Sequence, residues 1–170
     1  TEEGGWRVHF ERTDDLGRTW RRVGPVKAEG IGAIQPAILQ DSNGRLQAVG
    51  RTQQDRVFSV ESRDGGSSWG AMTLLDLPNP NSGVDALTLH DGRHLLVYNH
   101  ATRTPGKWDA GREVLNVAVS KDGKAWQAAL VHEREPGQEF SYPAVIQTAD
   151  GRVHITYTWK RKRIRHVVLD

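Results

Sequence analysis

The stretch Ser62-Arg63-Asp64-Gly65-Gly66-Ser67-Ser68-Trp69 decides the fold, because the chain contains it in three versions. The other two are Thr13-Asp14-Asp15-Leu16-Gly17-Arg18-Thr19-Trp20 and the one-residue-shorter Ser120-Lys121-Asp122-Gly123-Lys124-Ala125-Trp126. In each version the aspartate is suited to accept backbone N–H bonds and a glycine supplies a left-handed turn position. The tryptophan is large enough to fill a gap between packed sheets. We therefore expect these Asp boxes to be structural rather than catalytic.

A second pattern is interleaved with the boxes. Gln35-Pro36-Ala37-Ile38-Leu39-Gln40 precedes Asn43-Gly44-Arg45, and Tyr142-Pro143-Ala144-Val145-Ile146-Gln147 precedes Asp150-Gly151-Arg152. A weaker copy runs from residue 84 to residue 93. Asn-Gly or Asp-Gly between alternating apolar residues predicts a tight β-hairpin. With the strands before and after each box, the repeat becomes a four-stranded meander of about 50 residues.

Four-stranded units of this length are typical of propeller blades. The sequence therefore predicts an all-β fold, a β-propeller of four-stranded antiparallel blades with about three blades in this chain. We expect one partial propeller domain over residues 1–170, with a partial blade at 1–30, blades at 31–77 and 82–132, and a partial blade at 140–170. Residues 6–11 and 164–169 are both predicted to be third strands.

Three blades do not close a ring, and an open propeller leaves strand edges and an apolar flank uncovered. We therefore expect that the chain is half of a six-bladed ring. It would be either a piece of a longer protein or one copy of a homodimer that completes the ring.

The composition excludes several classes of protein. The chain has 170 residues, enough for a core, and no cysteine, which excludes a disulfide scaffold, a thiolate metal site and a cysteine nucleophile. No apolar run approaches the roughly 18 residues of a membrane span, so no membrane partner is expected. Because 23 Lys+Arg face 21 Asp+Glu, no nucleic-acid partner is expected either. The chain starts without a recognisable leader, and its localisation is left open.

These boxes and hairpins resemble the BNR/Asp-box repeat family, the sialidase-like (neuraminidase-like) six-bladed propellers. The resemblance covers essentially the whole chain, and its tail resembles the C-terminal half of such a propeller. The family's sialidases hold the substrate carboxylate with an arginine triad. They attack with a tyrosine that a glutamate activates, and they use an aspartate as acid/base. The resemblance thus implies a glycosidase that recognises an acidic, carboxylate-bearing sugar.

Three positions match the family pattern. Arg51 ends the strand after the first hairpin, and Arg112 precedes the box serine Ser120 by eight residues, as triad arginines do. Tyr142 begins a first strand eight residues before the hairpin aspartate, which is the place of the nucleophile. The alternative for both arginines is a salt-bridged surface role, and the alternative for Tyr142 is packing over the central channel.

The chain departs from the family at the glutamate, because Gln35 occupies its position and an amide does not take up the phenolic proton. Asp85 is the candidate that could replace the missing carboxylate. No match exists for the first triad arginine or the acid/base aspartate. Tyr142, Gln35 and Asp85 are therefore the candidate catalytic residues, and Arg51 and Arg112 the candidate substrate ligands.

Further candidates lie on the same rim, where strand entries and the connections between second and third strands meet. Asn99 and His100 end a second strand and are candidate contacts to substrate hydroxyls. Trp108, in the long insert at 101–111, is a candidate sugar-stacking platform. The basic run at 160–166 is expected to be a solvated rim loop or an extra attraction for anions. The histidines in predicted strands lack ligand spacing, so no metal site and no cofactor are expected.

Three functions remain open. The first is sialidase-like hydrolysis, for which a neutral phenol is a suitable nucleophile because the reacting carbon bears a carboxylate. The second is a uronate-type polysaccharide lyase, in which the arginines neutralise the carboxylate and Tyr142 or His100 removes the neighbouring proton. The family resemblance permits this, since related propellers include lyases. The third is a non-catalytic carbohydrate-binding or assembly module.

Overall fold

The computed structural model describes residues 5–104, 106–107 and 110–170. Every regular element in these ranges is a strand, and the sheets are antiparallel. The strands are β1 (Phe10–Arg12), β2 (Arg21–Val23), β3 (Ala33–Gln40), β4 (Leu46–Thr52), β5 (Arg56–Ser62), β6 (Thr73–Pro78), β7 (Asp85–Thr88), β8 (His94–Tyr98), β9 (Val114–Ser120), β10 (Trp126–Arg134), β11 (Phe140–Gln147), β12 (Val153–Trp159) and β13 (Arg163–Leu169). The all-β prediction is confirmed. The described ranges contain no helix suited to crossing a membrane.

The strands form four sheets in chain order. β3–β6 and β7–β10 are four-stranded meanders, β11–β13 form three strands, and β1 pairs with β2. The predicted strand over residues 6–11 is shorter than expected, because only its last part joins the ladder as β1. Trp6 and Val8 instead accept backbone hydrogen bonds from Ala33 and Val26.

Consecutive sheets share their apolar cores, as the alternation of buried residues requires. One cluster, including Leu39, Val49 and Leu96, joins the β3–β6 sheet to the β7–β10 sheet. A second, including Leu115 and Tyr157, joins β7–β10 to β11–β13. A third lies between the N-terminal segment and β3–β6. The first strands β3, β7 and β11 are neighbours in space, which is the radial arrangement of propeller blades.

The Asp boxes close the turns after β1, β5 and β9. Asp64 accepts hydrogen bonds from the Ser62 hydroxyl (2.8 Å), the Ser68 backbone N–H (2.9 Å) and the Ser68 hydroxyl (2.6 Å). These bonds favour the ionised form and lower the pKa of Asp64 to about 2. Trp69 stacks on Phe10 with ring centres 3.9 Å apart. The boxes therefore hold one rim of the molecule together.

Candidate functional site at the mouth of the propeller

We use the term mouth for the rim opposite the Asp boxes. Two equivalent backbone irregularities lie there. The register of β3 on β4 shifts between Ile34 and Ala37, and that of β11 on β12 shifts between Ser141 and Ala144. Gln35 and Tyr142 lie in these bulges with φ angles of 56° and 51°. A left-handed conformation is costly for residues with a Cβ and is common at functional sites. Bulges re-aim side chains, and both sequence candidates lie in one.

Tyr142 lies between two guanidinium groups. Tyr142 interacts with Arg51 in a way that acts to raise the pKa of Arg51, and the guanidinium carbon of Arg112 is 5.8 Å from the centre of the Tyr142 ring. Tyr142 is 50% exposed, although its neighbours are largely buried. A Cβ built on Gly83 would lie 3.1 Å from Cδ1 of the tyrosine and 3.8 Å from Oε1 of Gln35. Gly83 thus leaves room for the ring, with the Gln35 amide close by.

Arg51 is held by two further groups. Its Nη1 donates to the backbone oxygen of Asn81 at 3.1 Å, and its guanidinium carbon lies 5.0 Å from the centre of the Trp6 ring. Burial lowers the pKa of Arg51, and the positive charge of Arg112 acts in the same direction, while Tyr142 opposes both. The reference pKa of arginine is so high that Arg51 remains a cation at neutral pH.

Arg112 is only 4% exposed and pairs with Glu139, whose Oε1 is 3.3 Å from Nη1. Glu139 also accepts hydrogen bonds from the Ser141 hydroxyl at 2.7 Å and from Nε of Arg161 at 2.5 Å. Burial acts to raise the pKa of Glu139, but these hydrogen bonds and the two arginine charges outweigh it and hold that pKa below its usual value. Glu139 is therefore a carboxylate that joins Arg112, Ser141 and Arg161.

Asp85 is bound to backbone groups. Its carboxylate accepts from the N–H of Ala86 at 2.9 Å and from the N–H of Val145 at 2.8 Å. Burial raises its pKa, and the two backbone hydrogen bonds only partly offset that effect. Asp85 thus links β7 to β11 through a hydrogen bond to the backbone of β11.

The remaining candidates lie on or near the same rim. Asn99 is fully buried, and its Nδ2 donates to the carbonyl oxygens of Val114 and Phe140, both at 2.8 Å. His100 is exposed, and its Nδ1 is 2.5 Å from the hydroxyl of Tyr98. Asn99 therefore joins the starts of β9 and β11, behind Arg112 and Tyr142. Trp108 lies outside the described residues.

Sequence reasoning missed four residues of this site. Glu139 had a usable signal, because a buried arginine needs an anionic partner and Glu139 lies three residues before Tyr142. Arg161 had a weaker one, since it belongs to the basic run. Trp6 and Asn81 gave no signal, because their contacts with Arg51 depend on how the segments pack.

The mouth thus contains two guanidinium groups, a phenol and an amide. Paired guanidiniums match the geometry of a carboxylate. Gln35 offers no site that takes up the phenolic proton. Within the described ranges, no group of three or more His, Cys, Asp or Glu is arranged to hold a metal ion.

Comparison with known proteins gives one consistent result. Residues 1–155 match the family model described as BNR repeat-like domain. The chain is 21% identical to the anhydrosialidase of Macrobdella decora, over 91% of this chain and 22% of that protein. The sialidase NanB of Streptococcus pneumoniae superposes with a TM-score of 0.76 at 16% identity, covering 98% of this chain and 28% of that one.

A leech intramolecular trans-sialidase superposes with a TM-score of 0.73 at 18% identity, covering 95% of this chain and 27% of that one. The chain therefore spans about a quarter of the length of these relatives. At such identities the likeness to the solved structures establishes a sialidase-type propeller fold.

Proposed function

Because the chain belongs to the BNR repeat-like domain family, we propose that its mouth binds the carboxylate of an acidic sugar in the manner of a sialidase. The observation that carries the proposal is the position of Tyr142 between Arg51 and Arg112. The exposed phenol leaves a surface against which a sugar ring can lie, and the two cations flank it.

Burial makes this pair of cations suitable for an anion. Arg112 is almost fully covered and Arg51 partly covered, so their charges are screened less by water than those of surface lysines. Three fixed partners, Asn81, Glu139 and Trp6, limit the conformations of the two side chains. An anion binding there therefore loses less affinity to side-chain ordering.

The relatives point to sialic acid as one such anion. The structure of the leech trans-sialidase is a complex with 2,7-anhydro-Neu5Ac, and the two other relatives described above are named as an anhydrosialidase and a sialidase. The acid group of sialic acid lies on its reacting carbon, which matches a tyrosine placed beside two arginines. Sialic acid is therefore the first probe of the site.

The chemistry after binding depends on the phenolic proton. In a sialidase-type reaction the Tyr142 oxygen bonds to the anomeric carbon, the glycosidic bond breaks, the phenolic proton passes to a base and the departing glycosidic oxygen takes up a proton. Gln35 does not accept the phenolic proton. An elimination avoids the attack at the anomeric carbon: His100 takes a carbon-bound proton beside a carboxylate that the arginines neutralise, the electron pair forms a carbon–carbon double bond, and the glycosidic oxygen on the next carbon departs. The amide at position 35 therefore makes a uronate lyase the second candidate.

Ligand binding tests the carboxylate site. We expect the methyl glycoside of N-acetylneuraminic acid, or of glucuronic acid, to bind at least about tenfold more tightly than its methyl ester, a difference of roughly 1.4 kcal/mol. Arg51→Ala should remove this preference and Arg51→Lys should restore only part of it, because an ammonium lacks the planar fork.

Arg56→Ala is the matched control, since this exposed arginine pairs with Asp76 and does not contact Tyr142. Equal binding of acid and ester by the unmodified protein would refute the carboxylate site, as would an unchanged preference in Arg51→Ala.

Two activity assays separate the candidate reactions. Release of methylumbelliferone from its sialic acid conjugate indicates hydrolysis, and new ultraviolet absorbance with a uronate polymer indicates elimination. Acid-selective binding with neither signal indicates a carbohydrate-binding module.

A further inference from the structure

An open cavity of about 590 Å³ adjoins the proposed carboxylate site. Glu139 belongs to both, because it pairs with Arg112 on one side and lines the cavity on the other. Arg161, Lys160 and Lys107 are the cations of the cavity wall. Cavities of this size accommodate ligands larger than a single small ion.

Two lining residues of the cavity, Lys160 and Arg161, begin a run of four consecutive cations at 160–163, which covers the turn between β12 and β13 and the first residue of β13. Two of them are neutralised, since Lys160 pairs with Glu135 and Arg161 with Glu139, both at 2.5 Å. Lys162 and Arg163 are exposed and form no ion pair with any residue of the described ranges. These two cations are available to a ligand.

The turn is also fixed in place. The Nζ of Lys160 lies 4.5 Å from the centre of the Trp159 ring, and the guanidinium carbon of Arg163 lies 4.4 Å from the same ring. The backbone N–H of Lys160 donates to the backbone carbonyl oxygen of Glu139 at 2.7 Å. Contacts between a cation and an aromatic ring are attractive and restrict the side chain. The cations are therefore held beside the cavity.

Charge in this region is unbalanced. Among the described residues in and next to the cavity wall, five cations outnumber three carboxylates: Lys107, Lys160, Arg161, Lys162 and Arg163 against Glu113, Glu135 and Glu139. Each of those carboxylates already has a donor: the Gly137 N–H, Lys160 and the two arginines, respectively. The whole chain has a net charge of only +2, so this rim carries a local excess of positive charge.

We propose that the cavity and its basic turn form a second anionic subsite, and that the substrate class is a chain of acidic sugars rather than a single terminal one. This inference rests on the proposed function. One acidic residue would lie on Tyr142 between Arg51 and Arg112, and the next would place its charge against Lys162 and Arg163.

The two subsites differ in their sensitivity to salt. Exposed ion pairs contribute little to affinity individually and are screened at physiological ionic strength. The buried arginines are screened less. The additional affinity of a longer chain should therefore decrease with added salt more steeply than the affinity of the monomer.

The experiment compares trisialic acid with monomeric N-acetylneuraminic acid, and trigalacturonate with galacturonate, by calorimetry at low and at physiological salt. We expect the trimer of at least one series to bind about tenfold more tightly than its monomer at low salt. The double variant Lys162→Gln and Arg163→Gln should reduce this trimer-to-monomer ratio to near one.

The matched control removes one lysine and one arginine at the opposite rim, as Lys121→Gln and Arg63→Gln, and should keep the full ratio. Equal affinity of trimer and monomer in both series, or the same loss in the control variant, would overturn the second subsite without affecting the carboxylate site. Trimer binding with no preference for acid over ester in the monomer would instead refute the proposed function and leave the basic subsite intact.

Discussion

The two rims of the molecule differ in how far apart along the chain their interacting polar groups lie. At the Asp-box rim, Asp15 and Asp64 each accept three short hydrogen bonds within the same turn. At the mouth, Arg51 and Arg112 contact Asn81 and Glu139, 30 and 27 residues away, and Gln35 and Tyr142 have positive φ angles. The difference teaches that the turns of one rim are stabilised locally, whereas the side chains of the other are positioned by the packing of separate strands.

The largest expected effect is a break at the Asp-box rim. A Cβ at Gly123 would lie 1.8 Å from Oε1 of the buried Gln47, at a φ of +72°. We expect Gly123→Ala to reduce the free energy of unfolding by about 3 kcal/mol, roughly 10 °C in Tm, through strain and repacking. Gly151→Ala is the control, because its φ is +88° but nothing lies within 4 Å of the added atom. Equal losses in urea unfolding would show that backbone strain alone explains the effect.

The next effect compares two carboxylate hubs, one at each rim. Glu139 pairs with the buried Arg112 and with Arg161, whereas Glu61 pairs with the more exposed Arg45 at 3.0 Å. We expect Glu139→Gln to cost about 2 kcal/mol, since it removes an anion that pairs with two arginines, one of them buried. Glu61→Gln should cost about 1 kcal/mol or less. A larger loss for Glu61→Gln than for Glu139→Gln in denaturant titrations would mean that the stability of the mouth does not depend on Glu139.

A smaller effect measures the strain at the mouth. Because Gln35 has a φ of 56°, Gln35→Gly should be about 1 kcal/mol more stable than Gln35→Ala. At Gln40, in the regular part of β3, the alanine variant should be the more stable one. Thermal unfolding of the four variants measures these differences. If alanine is more stable than glycine at both positions, the backbone at Gln35 is not strained.

The smallest effect appears in acid. Folding lowers the pKa of Asp64 from 3.8 to about 2, chiefly through hydrogen bonds from Ser68, so its stabilisation is complete above pH 3.8 and is lost as pH falls toward 2. Burial raises the pKa of Asp85, so protonating Asp85 favours the folded chain instead. Between about pH 6 and pH 2, Asp64→Asn should flatten the fall of Tm and Asp85→Asn should steepen it. Parallel profiles for both variants would contradict these opposite signs.

The Asp boxes and the hairpins were predictable because their decisive contacts are local. Asp64 bonds residues two and four positions away, and Asn-Gly or Asp-Gly turns depend on adjacent residues. This local chemistry, repeated along the chain, was enough to predict the all-β propeller.

The mouth depends on contacts that the chain does not encode locally. Glu139 lies 27 residues from Arg112, and Asn81 lies 30 residues from Arg51. Positive φ at Gln35 and Tyr142 results from the strand register, since neither residue type favours it. Trp6 and Val8 lie outside the predicted first strand pair, and their backbone oxygens accept hydrogen bonds from Ala33 and Val26. Sequence spacing gave candidates for the mouth, and packing determines their environments.

The bulges of β3 and β11 have the same backbone conformation but carry different side chains. The same backbone device carries an amide at Gln35 and a phenol at Tyr142, and both sides meet at Gly83. Exchanging the Gln35 amide for a carboxylate changes one functional group at a position whose backbone conformation is set by the strand register. In the proposed chemistry, one such substitution would add or remove a proton acceptor beside Tyr142 without rebuilding the propeller.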